Sequence, residues 1–351
     1  MIDLSADLGP IRLKNPLIAA SSEFTMTRAG IDAALAAGAA AVISKSINES
    51  PDAARQLDIA DYVALDCGGT IAPWESAGDD ASLFCRSGLA QAPRDEWLEM
   101  LARADRAARA RDAYVAGSIT VAEAAPAARL AAAMEAAGLR WIELNLSAPH
   151  GREAARGAVR QVTDAEAVGE YVRQVRAATR VALTVKLTAQ SGDPIALAER
   201  AVRAGADMLV LMGRFQGFMP DIETGRPILG SAGAIGGRWA LPLTLYWVSK
   251  CFKAVAPAMP IVATNGVRTG DDVIRALLSG ARAVELASAV LGRGPGVFAE
   301  MLAGIEAYCE RKGIARLAEI VGKAAEAAVD YGALRPVKRA GYPWDRFIRG
   351  V

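Results

Sequence analysis

Polar and charged side chains follow a series of short apolar runs in this sequence, and two of them are lysines. Lys186 lies within the apolar run 182–187, and Lys45 directly follows the run 41–44. An ammonium group in apolar surroundings is costly unless a negative charge or an acceptor meets it. The residues at the ends of these runs offer more donors than acceptors, which favours an electron-rich, anionic ligand. They are Ser21, Ser22, Lys45, Ser46, Ser118, Asn145, Ser147, Lys186, Arg214, Asn265, Gly266 and Ser288.

Lys186 is the most informative single residue, and its predicted burial has two interpretations. It could form an internal ion pair with a carboxylate such as Glu143 or Asp207, since structural ion pairs are a common cause of buried lysines. It could instead place a cation beside a cofactor that becomes negative during turnover. Lys45 allows the same two interpretations.

The apolar runs that carry these residues predict the fold. Most of them lack polar interruptions, as expected of parallel strands buried on both faces, and helical patterns separate them. The eight runs are residues 16–20, 41–44, 114–116, 141–144, 182–187, 208–212, 261–263 and 283–286. Eight strands alternating with helices predict an α/β protein with a (β/α)8 TIM barrel, whose catalytic groups follow the strands. A doubly wound sheet is the alternative.

Segments outside this alternation predict the remaining architecture. Residues 4–15 are typical of an N-terminal hairpin that turns at Gly9-Pro10. The loops after strands 2 and 6, residues 47–91 and 213–233, are long enough to cover an active site. We expect residues 1–312 to form the barrel and residues 313–351 to form a C-terminal helix and tail packed on it.

Composition and charge argue against several classes of function. Lys and Arg number 40 against 39 Asp and Glu, so the net charge of +1 provides no general attraction to nucleic acid or anionic lipid. Four cysteines in 351 residues are too few for a disulfide framework, and no C-x-x-C pair indicates a metal site. No signal peptide or membrane-spanning stretch is visible. We therefore expect a cytoplasmic protein that needs neither a membrane nor nucleic acid.

Several motifs, in their order and spacing, resemble the dihydroorotate dehydrogenase and dihydropyrimidine dehydrogenase group of FMN-binding TIM barrels. The resemblance extends over about residues 4–312. The motifs are Asn15-Pro-Leu-Ile-Ala-Ala-Ser21, Ile43-Ser-Lys-Ser46, Glu143-Leu-Asn-Leu-Ser-Ala-Pro-His-Gly151, Val185-Lys-Leu187, Ala234-Ile-Gly-Gly237, Ala263-Thr-Asn-Gly-Val267 and Glu285-Leu-Ala-Ser288. The ordered set is far more specific than any one motif.

The resemblance implies a bound FMN and assigns residues to it. The residues that would contact the flavin ring are Ala20, Ser21, Lys45 and Ser46, with Ser118 beside them. Asn145 and Lys186 would hold the polar edge of the ring, and Lys186 would stabilise the anionic reduced flavin. The ribityl phosphate would be bound by Gly236, Gly237, Asn265, Gly266, Ala287 and Ser288. No metal is expected.

Positions that would face the substrate depart from the family pattern. The family's general base, Cys or Ser, precedes the proline of the Asn-Leu-Ser-x-Pro motif, where this chain has Ala148, and a methyl group cannot accept a proton. Cys85 and His150 are the candidates for that role, although each could equally be a structural residue. The predicted substrate contacts are Ser87, Ser147 and Arg214. Arg214 could bind a carboxylate or a phosphate of the substrate.

Matching cofactor residues and divergent substrate residues together predict the activity. We expect an FMN-dependent oxidoreductase that transfers hydride to or from flavin N5 and acts on a small, polar, anionic substrate other than dihydroorotate. Two alternatives stay open: an FMN-free lyase or isomerase with a phosphorylated substrate, and a catalytically silent flavoprotein. The electron partner would be a small diffusible molecule or a separate subunit. The resemblance suggests a homodimer.

Overall fold

Eight parallel strands form a closed barrel in a computed structural model, which describes residues 2–48, 50, 58–74, 77–78, 80–120, 122–148, 161–255, 259–335, 341–344 and 347. The barrel strands are Leu17–Ala19, Ala41–Ile43, Tyr114–Thr120, Trp141–Asn145, Ala182–Lys186, Met208–Leu211, Ile261–Thr264 and Ala283–Leu286. Each of the eight predicted strands is present. The predicted TIM barrel is therefore confirmed, and the doubly wound sheet is excluded.

Helices surround the barrel and bury their apolar faces against it. They are Arg28–Ala36, Arg94–Ala108, Ala124–Ala136, Ala165–Ala178, Pro194–Arg203, Leu241–Val255, Gly270–Leu278, Ser288–Arg293, Val297–Lys312 and Lys323–Ala327. At the start of Gly270–Leu278, Thr269 and Asp272 exchange side-chain-to-amide hydrogen bonds, which satisfy amides that the helix leaves unpaired. None of the helices in the described part of the chain is long and apolar enough to cross a bilayer. The cytoplasmic location stays a prediction.

The predicted N-terminal hairpin is present and closes one end of the barrel. Its strands are Ala6–Asp7 and Arg12–Leu13, which pair antiparallel. Leu8 and Leu13, both fully buried, join a cluster with Trp141 and other residues from the beginnings of the barrel strands. The amino-terminal end of the barrel is thus filled with apolar side chains, so a ligand site must lie at the opposite end.

The prediction that residues 47–91 and 213–233 form loops is wrong in part, because each contributes strands to one antiparallel sheet. The five strands are Asp61–Leu65, Ile71–Ala72, Ser82–Arg86, Phe215–Gly217 and Gly233–Gly236. Cys85 pairs with Tyr62 on one side and with Ala234 on the other. Local patterns missed this sheet because its central strand pairs with a segment far along the chain.

Residues beyond Lys312 pack on the barrel as short helical segments. The segments are Leu317–Ile320 and Lys323–Ala327, and Leu317, Ile320 and Ala325 are buried. Most of the segment 336–351 lies outside the described residues. The packing of that tail, and the division at residue 312, stay predictions.

Gly266 provides a test of how tightly one strand end is packed. Its φ is +96°, and a Cβ there would lie 2.4 Å from the amide nitrogen of Leu241, whereas Gly313, with φ of +64°, has open space around it. We expect Gly266→Ala to lower the free energy of unfolding more than Gly313→Ala. A left-handed backbone costs either alanine about 1–2 kcal/mol, and only Gly266→Ala adds a clash. Urea unfolding measures both losses, and equal losses would contradict the close packing.

Candidate functional site

A cleft lies at the carboxyl ends of the barrel strands. Ten of the twelve polar residues predicted at the strand ends line it, namely Ser21, Ser22, Lys45, Asn145, Ser147, Lys186, Arg214, Asn265, Gly266 and Ser288. Ser46 and Ser118 are buried behind it and connect to Ser21 through hydrogen bonds. The predicted convergence of these residues is confirmed, because parallel strands end at the same rim of a barrel.

Small residues form one end of the cleft. Gly236, Gly266, Ala287 and Ser288 line this end, and a Cβ at Gly236 would lie only 2.7 Å from the side-chain oxygen of Asn265. Gly237 packs against Ser82 instead, because a Cβ added at Gly237 would lie 2.9 Å from the Ser82 hydroxyl oxygen. A helix begins at Ser288, and its first amides lack partners within the helix. Backbone amides beside small residues are suited to a phosphate group.

Lys186 lies at the base of the cleft between two buried carboxylates. Its Nζ is 2.5 Å from Glu285 Oε2 and 3.6 Å from Glu143 Oε2. The predicted pairing with Glu143 is thus confirmed, whereas pairing with Asp207 is wrong, because Asp207 binds Arg176 at 2.9 Å. Burial alone would lower the pKa of Lys186, but Glu143 and Glu285 together raise it.

Sequence reasoning missed Glu285, although a signal was present. Glu285 is the one charged residue of the apolar strand Ala283–Leu286, and a buried carboxylate requires a cation or donors. Lys186 was the matching buried cation in another strand. Burial and the neighbouring Glu285 raise the pKa of Glu143 to about 8, which favours its protonated form near neutral pH.

A second group of charges surrounds Glu23, which sequence reasoning also missed. Lys45 Nζ donates a hydrogen bond of 2.5 Å to Glu23 Oε1, and the Tyr62 hydroxyl donates to the same oxygen. Burial raises the pKa of Glu23, but Lys45 and Tyr62 together lower it below its ordinary value. Glu23 is therefore an ionised carboxylate that lines the cleft. Burial and Glu23 raise the pKa of Tyr62, which keeps its proton.

Arg214 connects Cys85 and Ser87 to the cleft. Its Nη1 is 2.5 Å from Cys85 Sγ, and its Nη2 donates to Ser87 Oγ at 3.0 Å. Cys85 lies on a strand rather than in the predicted loop, and it is fully buried. Burial raises the pKa of its thiol despite the nearby Arg214. A buried thiol that keeps its proton does not suit the role of a base.

The motif that would hold the family's base is described only in part. Asn145 Oδ1 accepts hydrogen bonds from the amide and the hydroxyl of Ser147, at 2.9 and 2.7 Å. This fixes the Asn145 side chain so that its NH2 group is the part available to a ligand. Ala148 is buried. His150 lies outside the described residues, so its predicted catalytic role stays a prediction.

Comparison with known proteins gives one family. The family model described as dihydroorotate dehydrogenase matches residues 76–308. The chain is 30% identical over 318 residues to the dihydroorotate dehydrogenase B (NAD(+)) catalytic subunit of Methanosarcina mazei, covering 90% of this chain and 93% of the relative. It is 31% identical over 325 residues to the protein of that name from Methanocella arvoryzae, covering 92% and 97%. The chain therefore belongs to the dihydroorotate dehydrogenase family of FMN-dependent oxidoreductases.

Proposed function

We propose that this chain binds FMN and catalyses hydride transfer between the flavin and a small anionic substrate. The observation that carries the proposal is the composition of a single cleft. Small residues suited to a phosphate form one end, and Lys186, Lys45 and Arg214 present hydrogen-bond donors elsewhere along it. When bound, FMN supplies the hydride chemistry.

The chemistry of the residues present supports FMN as the ligand. The close approach at Gly236 leaves no room for a side chain, and the amides at Ser288 offer donors to a phosphate. Asn145 and Lys186 offer hydrogen-bond donors to the flavin's polar edge. The remaining proposed FMN contacts that line the cleft are Ala20, Ser21, Lys45, Asn265, Gly266 and Ala287. The predicted contacts Ser46, Ser118 and Gly237 are not among its lining residues.

The charges near Glu23 support an anionic substrate. Lys45 and Arg214 carry two positive charges against the single negative charge of Glu23, so the group has one positive charge in excess. Arg214 can bind a carboxylate with two parallel hydrogen bonds, and Ser87 adds a hydroxyl group. The hydroxyl of Ser147 donates to Asn145, so its oxygen is left to accept a hydrogen bond from a ligand. The relatives are named for dihydroorotate. We propose a different substrate for this chain, because Ala148 stands where the family pattern has its general base.

We further propose that Glu23 exchanges the substrate's proton, in the place of the missing base at Ala148. It is ionised, lines the cleft, and is held in position by Lys45 and Tyr62. Burial raises the pKa of Cys85, the sequence-based candidate, and so disfavours the thiolate that this role needs.

The electrons must pass between the flavin and a second partner. The relatives' name, catalytic subunit, supports a separate electron-carrying subunit over a small acceptor. The homodimer stays a prediction.

Purification without added cofactor tests FMN binding. We expect a yellow protein that releases one FMN per chain, identified by its absorption spectrum and mass. Gly236→Ala should weaken FMN binding by about tenfold or more, because the added methyl group would clash with Asn265 beside the phosphate. Gly296→Ala, with open space around it, is the matched control. A colourless protein that takes up no FMN would contradict the proposal and favour the phosphorylated-substrate alternative.

Anaerobic mixing with candidate substrates tests the reaction and the role of Glu23. We expect a small saturated acid to bleach the flavin faster than dihydroorotate does. Glu23→Gln should slow this reduction by about 10²-fold or more while FMN stays bound, since a positioned acid or base contributes about that much. Cys85→Ser should change the rate only slightly.

Stopped-flow absorbance measures these rates, and dithionite reduction is the control for an intact flavin. Fastest reduction by dihydroorotate would contradict the proposed substrate. An equal decrease of the flavin reduction rate in the Glu23→Gln and Cys85→Ser variants would contradict the proton-transfer role of Glu23. A flavin that only dithionite reduces would favour the catalytically silent alternative.

A further inference from the structure

The barrel wall contains one cluster of charges. Among the eight barrel strands, the Asp, Glu, Lys, Arg and His residues are Glu143, Lys186 and Glu285 alone, and these three are in mutual contact. The side chains of Glu143 and Glu285 are 0% and 1% exposed, and that of Lys186 is 10% exposed. Two carboxylates therefore share a single cation, and Lys186 and Glu285 line the cleft whereas Glu143 lies behind them.

The hydrogen bonding of the cluster requires a proton beyond those of the lysine. Glu143 Oε2 and Glu285 Oε1 are buried and have no hydrogen-bond partner among the described residues. Two carboxylates cannot donate to each other, so a proton on one of the two groups would be needed to give these oxygens a donor. One shared proton makes the cluster neutral and supplies the missing donor. Burial and the neighbouring Glu285 raise the pKa of Glu143, which favours a proton on this carboxyl group near neutral pH.

A chain of serine hydroxyls leads from Glu143, the member of the cluster that does not line the cleft, to Ser21, which does. Ser118 Oγ donates to Glu143 Oε1 at 3.1 Å, Ser46 Oγ is 2.8 Å from Ser118 Oγ, and Ser21 Oγ is 3.2 Å from Ser46 Oγ. Ser118 and Ser46 are buried, while Ser21 lines the cleft. Each hydroxyl can donate and accept at once, so the chain can pass a proton in either direction.

The other charged groups near the cluster are already accounted for. Arg214 is the additional charge that acts on Lys186, and it contacts Cys85 and Ser87. Lys45 and Glu23 form their own pair. The strands that flank Glu143 and Glu285 carry no other charged residue than Lys186. The proton count of the cluster is therefore set by its own three members.

We propose that Glu143, Glu285 and Lys186 form a proton store that is loaded through Ser21, Ser46 and Ser118 when the cofactor is reduced. The proposal rests on the proposed FMN function. The substrate gives its hydride, with two electrons, to FMN, and gives its proton to the cleft. A proton from the cleft then moves along the serines to Glu143, and the proton held there passes to Glu285. Lys186 is left with an uncompensated positive charge, which offsets the negative charge of the reduced flavin. Reoxidation by the electron partner reverses these steps.

Infrared spectroscopy of the purified protein tests the stored proton without any substrate. We expect the C=O band of a protonated carboxyl group at pH 6–7, which disappears as the pH rises through about 8 and is absent in Glu143→Gln. In D2O the band should exchange about tenfold more slowly in Ser118→Ala than in the wild type, because the hydroxyl chain is broken. Ser44→Ala is the matched control, since Ser44 is buried beside Ser118 but makes no bond to Glu143.

Redox titration of the FMN-loaded protein tests the coupling. We expect uptake of two protons per two electrons near neutral pH in the wild type, one by the flavin and one by the cluster. The double variant Glu143→Gln with Glu285→Gln should take up one proton. The ratio of its affinity for reduced FMN to its affinity for oxidised FMN should also be about tenfold higher than in the wild type. For a two-electron couple this raises the reduction potential of the bound FMN by about 30 mV. Glu166→Gln removes an exposed carboxylate paired with Arg200 and serves as the control.

Three results would overturn the proposal. They are the absence of the protonated carboxyl band in the wild type, equal exchange in the Ser118 and Ser44 variants, and uptake of one proton per two electrons in the wild type. Should the double variant not fold, the wild-type titration and the single variants decide. A protein that binds no FMN would overturn the proposed function and the redox coupling together, whereas the infrared result separately shows whether the proton is stored.

Discussion

The ammonium group of Lys186, buried between two carboxylates, is the interaction on which the cleft depends. Taking three ionisable groups out of water costs several kcal/mol for each charge unless their mutual contacts compensate for it. The compensation here links three strands of the barrel, because the partners come from Trp141–Asn145, Ala182–Lys186 and Ala283–Leu286. The strand of Glu285 leads directly to Ala287 and Ser288, and that of Glu143 leads to Asn145. The contacts within the cluster therefore help to set the positions of the residues at the carboxyl ends of these strands.

A different constraint shapes the cover of the cleft, which is the five-stranded antiparallel sheet formed by strands from residues 61–86 and 215–236. Two connections that would be separate loops in a simple barrel pair as one antiparallel sheet, so neither has to bury unpaired backbone groups. The pairing brings Tyr62 and Cys85 from one connection to the vicinity of Arg214 from the other. The substrate side of the cleft thus combines residues of the barrel rim with residues of the cover. This division suits a fold in which the scaffold holds the cofactor and the connections vary with the substrate.

The sequence predicted those features that depend on neighbouring residues, such as the buried barrel strands. It did not predict features that depend on contacts between segments far apart in the chain. The eight barrel strands are visible as uninterrupted apolar runs because both faces of each strand are buried. The strand Ser82–Arg86 was missed because nothing near it identifies its partners, Asp61–Leu65 and Gly233–Gly236. Glu23 and Glu285 were missed for a related reason. The role of a carboxylate in an apolar segment can be predicted only when the cation that pairs with it is known. The partners of Glu23 and Glu285, Lys45 and Lys186, lie far from them in the sequence.

The strand Gly233–Gly236 belongs to two parts of the molecule at once. Along its length it pairs with Ser82–Arg86 in the cover, while its last residue, Gly236, lines the phosphate end of the cleft. A strand in a hydrogen-bonded sheet moves as a unit, so displacement of the cover pulls on the residues that would grip the cofactor. Release of a ligand held beside Gly236 is therefore coupled, through this one strand, to any movement of the cover.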